Sequence, residues 1–315
     1  MAIDIQAIKF DARVPEIPST LQAVAVSALG LEERRSGMER LATRLRLGRL
    51  RPVETDTSLV MASRGGDVEY FHASGAVWAR DLASSEAFDN ELRKWPDLTE
   101  FRDATGESVL TLGEGSAKAA SEMARRLADE AGFDLSAAEG QSIDLIQVAQ
   151  LSERGEIMNR GGGEATVGFS YAVEGVPVIG PGGKTSFDFN PDPDDERALQ
   201  LVGAFHVWRR PERGVKVEIG TAEAALAAGF LQDPDLIQAV EKGGKITVEE
   251  LRFGLLALPA PMRQGHLFPA IAVAGRVDLP EGKLDHFLFG RYCHAATPEA
   301  YEAAGIAADY LSRPN

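Results

Sequence analysis

Residues 116–133 read SAKAASEMARRLADEAGF, and no stretch of the chain declares its local structure more plainly. Ala120, Met123, Ala124, Leu127 and Ala131 recur at helical spacing and form one apolar face. Gly132 stands where a glycine past a helix end belongs, and apolar Phe133 follows it. What comes next is a run of strands: 142–151, 165–173, 184–189 and 201–208 alternate or run apolar. They are broken by Arg160-Gly161-Gly162-Gly163, by Gly180-Pro181-Gly182-Gly183 and by the acidic turn from Pro191 to Glu196.

The same order holds on either side. Upstream, Leu31 to Leu47 reads as an amphipathic helix, and strands are predicted at 57–62, 68–72 and 76–81, with glycine-bearing turns between them. Downstream, Thr221 is an N-cap and Glu223 a first-turn charge for a helix over 222–231, followed by strands at 245–258, 267–277 and 284–292. Strands that come in runs, each run headed by a helix, predict an α+β fold in which helices pack on antiparallel sheet, and disfavour a parallel α/β fold. The expected organisation is a helix-plus-meander module over 1–108 and a larger region over 109–315 containing two further helix-plus-sheet units.

The chain has 315 residues and a net charge of −15, so nucleic acid is not an expected partner. Its 44% hydrophobic and 26% charged residues are ordinary globular composition. A single cysteine, Cys293, excludes an intramolecular disulfide framework and is expected to be a small buried hydrophobe. The longest N-terminal apolar run, Leu21 to Leu31, is too short to span a bilayer, and Asp4, Asp11 and Glu16 outweigh Lys9 and Arg13 where an export signal would be cationic. The expectation is a cytoplasmic protein as the chain stands, exported if a leader has been removed, with no membrane span.

Tyr171-Ala-Val-Glu-Gly-Val-Pro-Val-Ile-Gly180, then 184–189, then Gly203-Ala-Phe-His-Val-Trp-Arg-Arg210 resembles the pattern of PepSY-like and YycH/YycI-like modules. There a strand ends in G-x-P-V-x-G, a second follows, and a third ends in an aromatic-plus-Arg pair. The segment 251–260, with Gln264 and 267–275, resembles the closing strands of such modules. The resemblance covers roughly residues 110–278. It implies tandem cystatin-like α+β modules, non-catalytic, that bind or restrain a peptidase or signalling partner.

Several motifs imitate chemistry without completing it. Gly180-Pro-Gly-Gly-Lys-Thr185 has Val178 where a phosphate loop needs its first Gly, and a strand-like segment where it needs a helix, so it reads as a hairpin turn in which Gly182 and Gly183 permit positive φ. Asp188, Asn190, Asp192 and Asp194 start like a calcium loop, but Pro193 and Leu199 stand at its sixth and twelfth positions. The five histidines, His72, His206, His266, His286 and His294, lack metal-ligand spacing, and Asp285 and His286, as strand neighbours, point to opposite faces. No catalytic residue, metal or cofactor is assigned.

On a strand, His206, Trp208 and Arg210 would share one face. With Gly182 and Lys184 of the neighbouring turn, they are the candidate contact residues for a protein or peptide partner. The alternative is a small-molecule cyclase or isomerase, with a pocket inside a curved sheet, His206 or His266 as general base and Arg209 or Arg210 binding an anion.

Overall fold

The first two helices show why the chain folds as it does. The computed structural model describes residues 3–83, 93–102, 106, 108–152, 154, 157–192, 195, 198–280 and 286–306. Helix α1 (Leu31–Arg44) starts where the Glu33 carboxylate accepts the Gly30 backbone N–H at 2.9 Å, and it stops short of Leu47. Arg46 turns left-handed at φ 56°, and the Leu47 N–H returns to the Ala42 carbonyl, so Leu45 and Leu47 reach the core from beyond the helix. Helix α2 (Glu114–Ala131) ends as its sequence predicts: Gly132 has φ 67°, and Phe133 donates to the Ala128 carbonyl at 2.8 Å while burying its ring.

Each of these helices heads four strands of one antiparallel sheet. After α1 come β3 (Arg51–Glu54), β4 (Ser58–Ala62), β5 (Gly66–Phe71) and β6 (Ala76–Asp81); after α2 come β9 (Ala138–Leu151), β10 (Ile157–Val173), β12 (Lys184–Pro191) and β13 (Leu199–Val207). The spatial order is β3-β4-β5-β6-β13-β12-β10-β9, so the two sets meet at β6 and β13. Both helices lie on one face, over a core that includes Met38, Leu41, Val77, Leu127, Val167, Phe187 and Phe189. They touch closely: a Cβ on Gly37 would collide with the Ala131 carbonyl, and Arg44 clamps the Glu130 carboxylate with bonds of 2.9 and 2.6 Å.

A third unit closes the molecule. Helices α3 (Ala222–Ala228) and α4 (Pro234–Glu241) pack on β15 (Lys245–Leu256), β16 (His266–Asp278) and β17 (His286–His294), around Leu226, Phe230, Leu236, Val248, Ile271 and Phe289. The strand β11 (Val176–Ile179) leaves β10 through a two-residue turn, Glu174 at φ 53° and Gly175 at φ 77°, and pairs in parallel with β15. Helix α5 (Pro298–Ala303) packs beside β14 (Arg210–Glu218), while β7 (Leu98–Arg102) and β8 (Ser108–Leu112) form a separate ribbon. The architecture is α+β with extensive antiparallel sheet.

Strand pairing crosses residue 108: β1 (Ile8–Phe10) pairs with β15, β2 (Thr20–Ser27) pairs with β14 and β16, and β6 pairs with β13. Two local expectations are corrected. The helix predicted over 222–231 ends at Ala228, and a second one, α4, is started by the Asp233 carboxylate accepting the Asp235 and Leu236 N–H groups. Finally, 180–183 is no hairpin, since β10 lies between β11 and β12; Gly180 carries the positive φ of 92°, whereas Gly182 is required because a Cβ would collide with the Leu258 carbonyl.

Gly37→Ala tests the helix contact. Alanine gains about 1 kcal/mol of helix propensity, yet the collision is expected to outweigh it and leave a net loss of about 1–3 kcal/mol in denaturant unfolding.

Candidate functional site

The residues grouped at 206–210 do not share a surface. β13 stops at Val207, and Trp208 and Arg209 turn the chain before β14 starts at Arg210. His206 is 1% exposed, with its ring stacked on Phe133 at 4.1 Å between centroids. Its Nδ1 lies 2.7 Å from Thr185 Oγ1, which lies 2.6 Å from the Tyr171 hydroxyl, which donates to the Asp134 carbonyl at 3.2 Å. Donation from Nδ1–H to Thr185, then to Tyr171, then to the carbonyl satisfies the whole chain and leaves His206 Nε2 without a partner among the described residues.

Trp208, 4% exposed, stacks on the Tyr171 ring at 4.2 Å. Arg209 is buried too, donating to the carbonyls of Leu258, Pro259 and Met262 at 3.0, 3.3 and 2.6 Å. Arg210 alone reaches solvent, 3.4 Å from the Glu33 carboxylate. The proposed contact face at His206 and Trp208 is therefore core, because His206 lies on the side of β13 opposite Phe205, facing Phe133, and both rings find aromatic partners inside.

Burial, with Arg34 nearby, holds the His206 imidazole well below its usual range, and burial pushes the Tyr171 phenol up to about 12. Both are neutral at pH 7. A general base must come within hydrogen-bond reach of its substrate, and neither His206 nor His266 lines either of two surface clefts.

On the opposite face of the eight-stranded sheet, the described side chains around Trp78 are exposed or half-buried. Strand register places Glu69, Trp78, Phe205 and Ser186 in one cross-strand row, and Asp67, Arg80, Gly203, Asp188, Thr166 and Asp144 in the next. Trp78 is 38% exposed, Lys184 is exposed, and Glu69, Arg80, Ser186 and Phe205 are half-buried. The Arg80 guanidinium lies over the indole at 4.6 Å from its centroid and bonds Asp67 at 3.0 and 3.1 Å. Lys184 Nζ sits 5.3 Å from the Phe205 centroid, and Phe205 meets Trp78 edge to face at 6.4 Å.

Thr166 donates to Asp188 at 2.7 Å, and beside them Glu164 faces the Asp188 charge. Burial raises both carboxyls above their ordinary range, further for Glu164 through Asp188. Carboxylates on this face outnumber cations.

Of the predicted contact residues, only Lys184 belongs to this surface; Gly182 packs against the 257–258 backbone instead. Trp78 went unremarked in the sequence although its signal was present: in 76–81, Val77 and Ala79 alternate with Trp78 and Arg80, which sorts them to opposite faces. Asp188 and Asp192 are used separately, by Thr166 and by Arg46 at 3.6 Å; Asp194 and Asp285 lie outside the described residues. Among the described residues, no group of three or more His, Cys, Asp or Glu side chains could hold a metal ion, and no helix is long and apolar enough to cross a membrane. Cys293 is buried, which pushes its thiol up to about 11.

No family model matches the chain, and no curated protein matches it. The fold is similar to that of an uncharacterized protein from Eubacterium rectale, solved by crystallography, with a TM-score of 0.50 and 11% identity over 89% of this chain and 85% of that one.

Two measurements check the buried network. Trp208→Ala is expected to cost about 3–5 kcal/mol of folding stability through the cavity it leaves; a change near zero would return Trp208 to the surface. The second is pH. The unfolded chain binds a proton at residue 206 below about pH 6.5 that the folded chain refuses, so stability falls as pH drops from 7 to 5. His206→Phe, which keeps a ring against Phe133, is expected to flatten that slope in part, because His266 and His294 are depressed by burial in the same direction.

Proposed function

We propose that this chain is a non-catalytic binding protein that takes a basic segment of a protein or peptide partner on the Trp78 face of its eight-stranded sheet. One observation carries the reading: Trp78, a residue that proteins seldom leave uncovered, stands exposed in the middle of a sheet face with Arg80 stacked on it. Phe205 extends the apolar ground, and Ser186, Glu69 and Asp144 offer polar partners around it. The carboxylate excess of this face and the net charge of −15 favour a cationic occupant and steer it inward.

The tandem cystatin-like reading and the likeness to PepSY-like modules belong to the same proposal. What supports them is the recurrence of a helix followed by four antiparallel strands, twice in one sheet. A third helix-headed set of strands joins the same sheet through β11.

A displayed random-peptide library, panned on wild-type chain and on Trp78→Ala, tests the site. Wild type is expected to select peptides combining Lys or Arg with an apolar anchor, with binding that weakens as salt rises. Trp78→Ala is expected to weaken that binding by about 2 kcal/mol, roughly thirtyfold, and to leave the unfolding midpoint nearly unchanged. Selected peptides that bind both chains equally would refute the assignment.

A further inference from the structure

We propose that β9 is a dimerisation edge, on which a second copy of this chain pairs strand to strand, antiparallel, about a two-fold axis. Trp78 stands on β6, with β13, β12 and β10 between it and β9, so this inference does not rest on the binding face.

The eight-stranded sheet ends in β3 on one side and β9 on the other, and the two edges are built differently. β3 has four residues and reads Arg51-Pro52-Val53-Glu54. A short strand with a proline between charges is how sheets discourage an added strand. β9 has fourteen residues and contains no Pro, Lys or Arg. It pairs with β10 alone, and among the described residues no backbone group of 139–150 bonds outside that pair. Alternate N–H and C=O groups along it therefore point outward, unpaired.

The edge is also ordered in advance. Gln141 donates to Ser121 and accepts from Arg125 of α2, both at 2.8 Å, while Ile143 and Leu145 pack on the core. Gln147 Oε1 accepts the Leu110 N–H at 3.2 Å. With one side of the strand held by its own fold, little conformational freedom remains to be lost on pairing. The other side carries Ser142, Asp144, Ile146, Val148 and Gln150, of which Ile146 is 47% exposed.

Two features fit a second copy to this edge. An acidic chain, at −15, repels its own copy, yet 140–150 contains a single charged residue, Asp144. A strongly basic partner would find little complementary charge there. The strand also matches itself: with Ile146 on the axis, Ile146 meets its own copy, Asp144 meets Val148 and Ser142 meets Gln150. No carboxylate then faces its like, and residues from the same side of each strand meet, so the Trp78 faces of the two copies lie on one side of a continuous sheet.

Sedimentation equilibrium of the full chain, with hydrogen exchange followed at rising concentration, tests this. Wild type is expected to dimerise, and amides within 140–150 are expected to exchange more slowly as the dimer forms. Ile146→Lys, which sets two like charges against each other on the axis, is expected to weaken the dimer by about tenfold or more while the chain stays folded by circular dichroism. A wild type that is monomeric across its soluble range overturns the proposal, as does a dimer that Ile146→Lys leaves intact. Should Ile146→Lys fail to fold, exchange in the wild type decides, and a dimer that forms without slowing any amide of 140–150 overturns it.

Discussion

Three backbone carbonyls, of Leu258, Pro259 and Met262, are answered by one buried guanidinium, that of Arg209. The segment between β15 and β16 is half-buried, with Ala257, Ala260 and Gln264 inside and Pro261 and Arg263 exposed, and backbone groups that leave water in it must find partners. Gln264 handles its other end, donating to the Leu256 carbonyl and accepting from the Leu258 N–H, both at 2.8 Å. Burial brings the Arg209 pKa down to about 10, so it stays charged at neutral pH, stabilised by carbonyl dipoles. Because Arg209 comes two residues after β13 ends at Val207, this contact ties the eight-stranded sheet to the third unit. It also fixes the turn that buries Trp208 and positions Ala260 against Phe71, Ala76 and Val207.

Much of the fold was legible because local chemistry and tertiary packing agreed. The α2 apolar stripe and its Gly132 stop, the 76–81 strand, and the helix-then-strands order all survive in the structure. What was not legible is pairing at a distance. A stretch such as 20–27 reads as a short apolar run, and nothing local says that its partners lie beyond residue 209. Arg46 shows the limit at a boundary: a left-handed arginine carries no glycine signature, so the helix was read three residues too long.

The sites were less legible, for a related reason. Period-two alternation assigns faces only while a strand lasts, and the sequence of 206–210 does not reveal that β13 ends at Val207. The face containing Trp78 and Phe205 joins strands from both halves of the sheet, so its row exists only after β6 meets β13.

The strand pairing of the N-terminal segment has a kinetic consequence. Ile8 pairs with Ile246, and Val24 with both Gly214 and Leu267. During synthesis these apolar strands emerge some 190 residues or more before their partners, so their edges stay unpaired through that interval. High contact order of this kind slows folding, and the waiting strands are the segments most open to mispairing with another nascent chain. A cell making this protein has most reason to shield these two strands until the third unit exists to receive them.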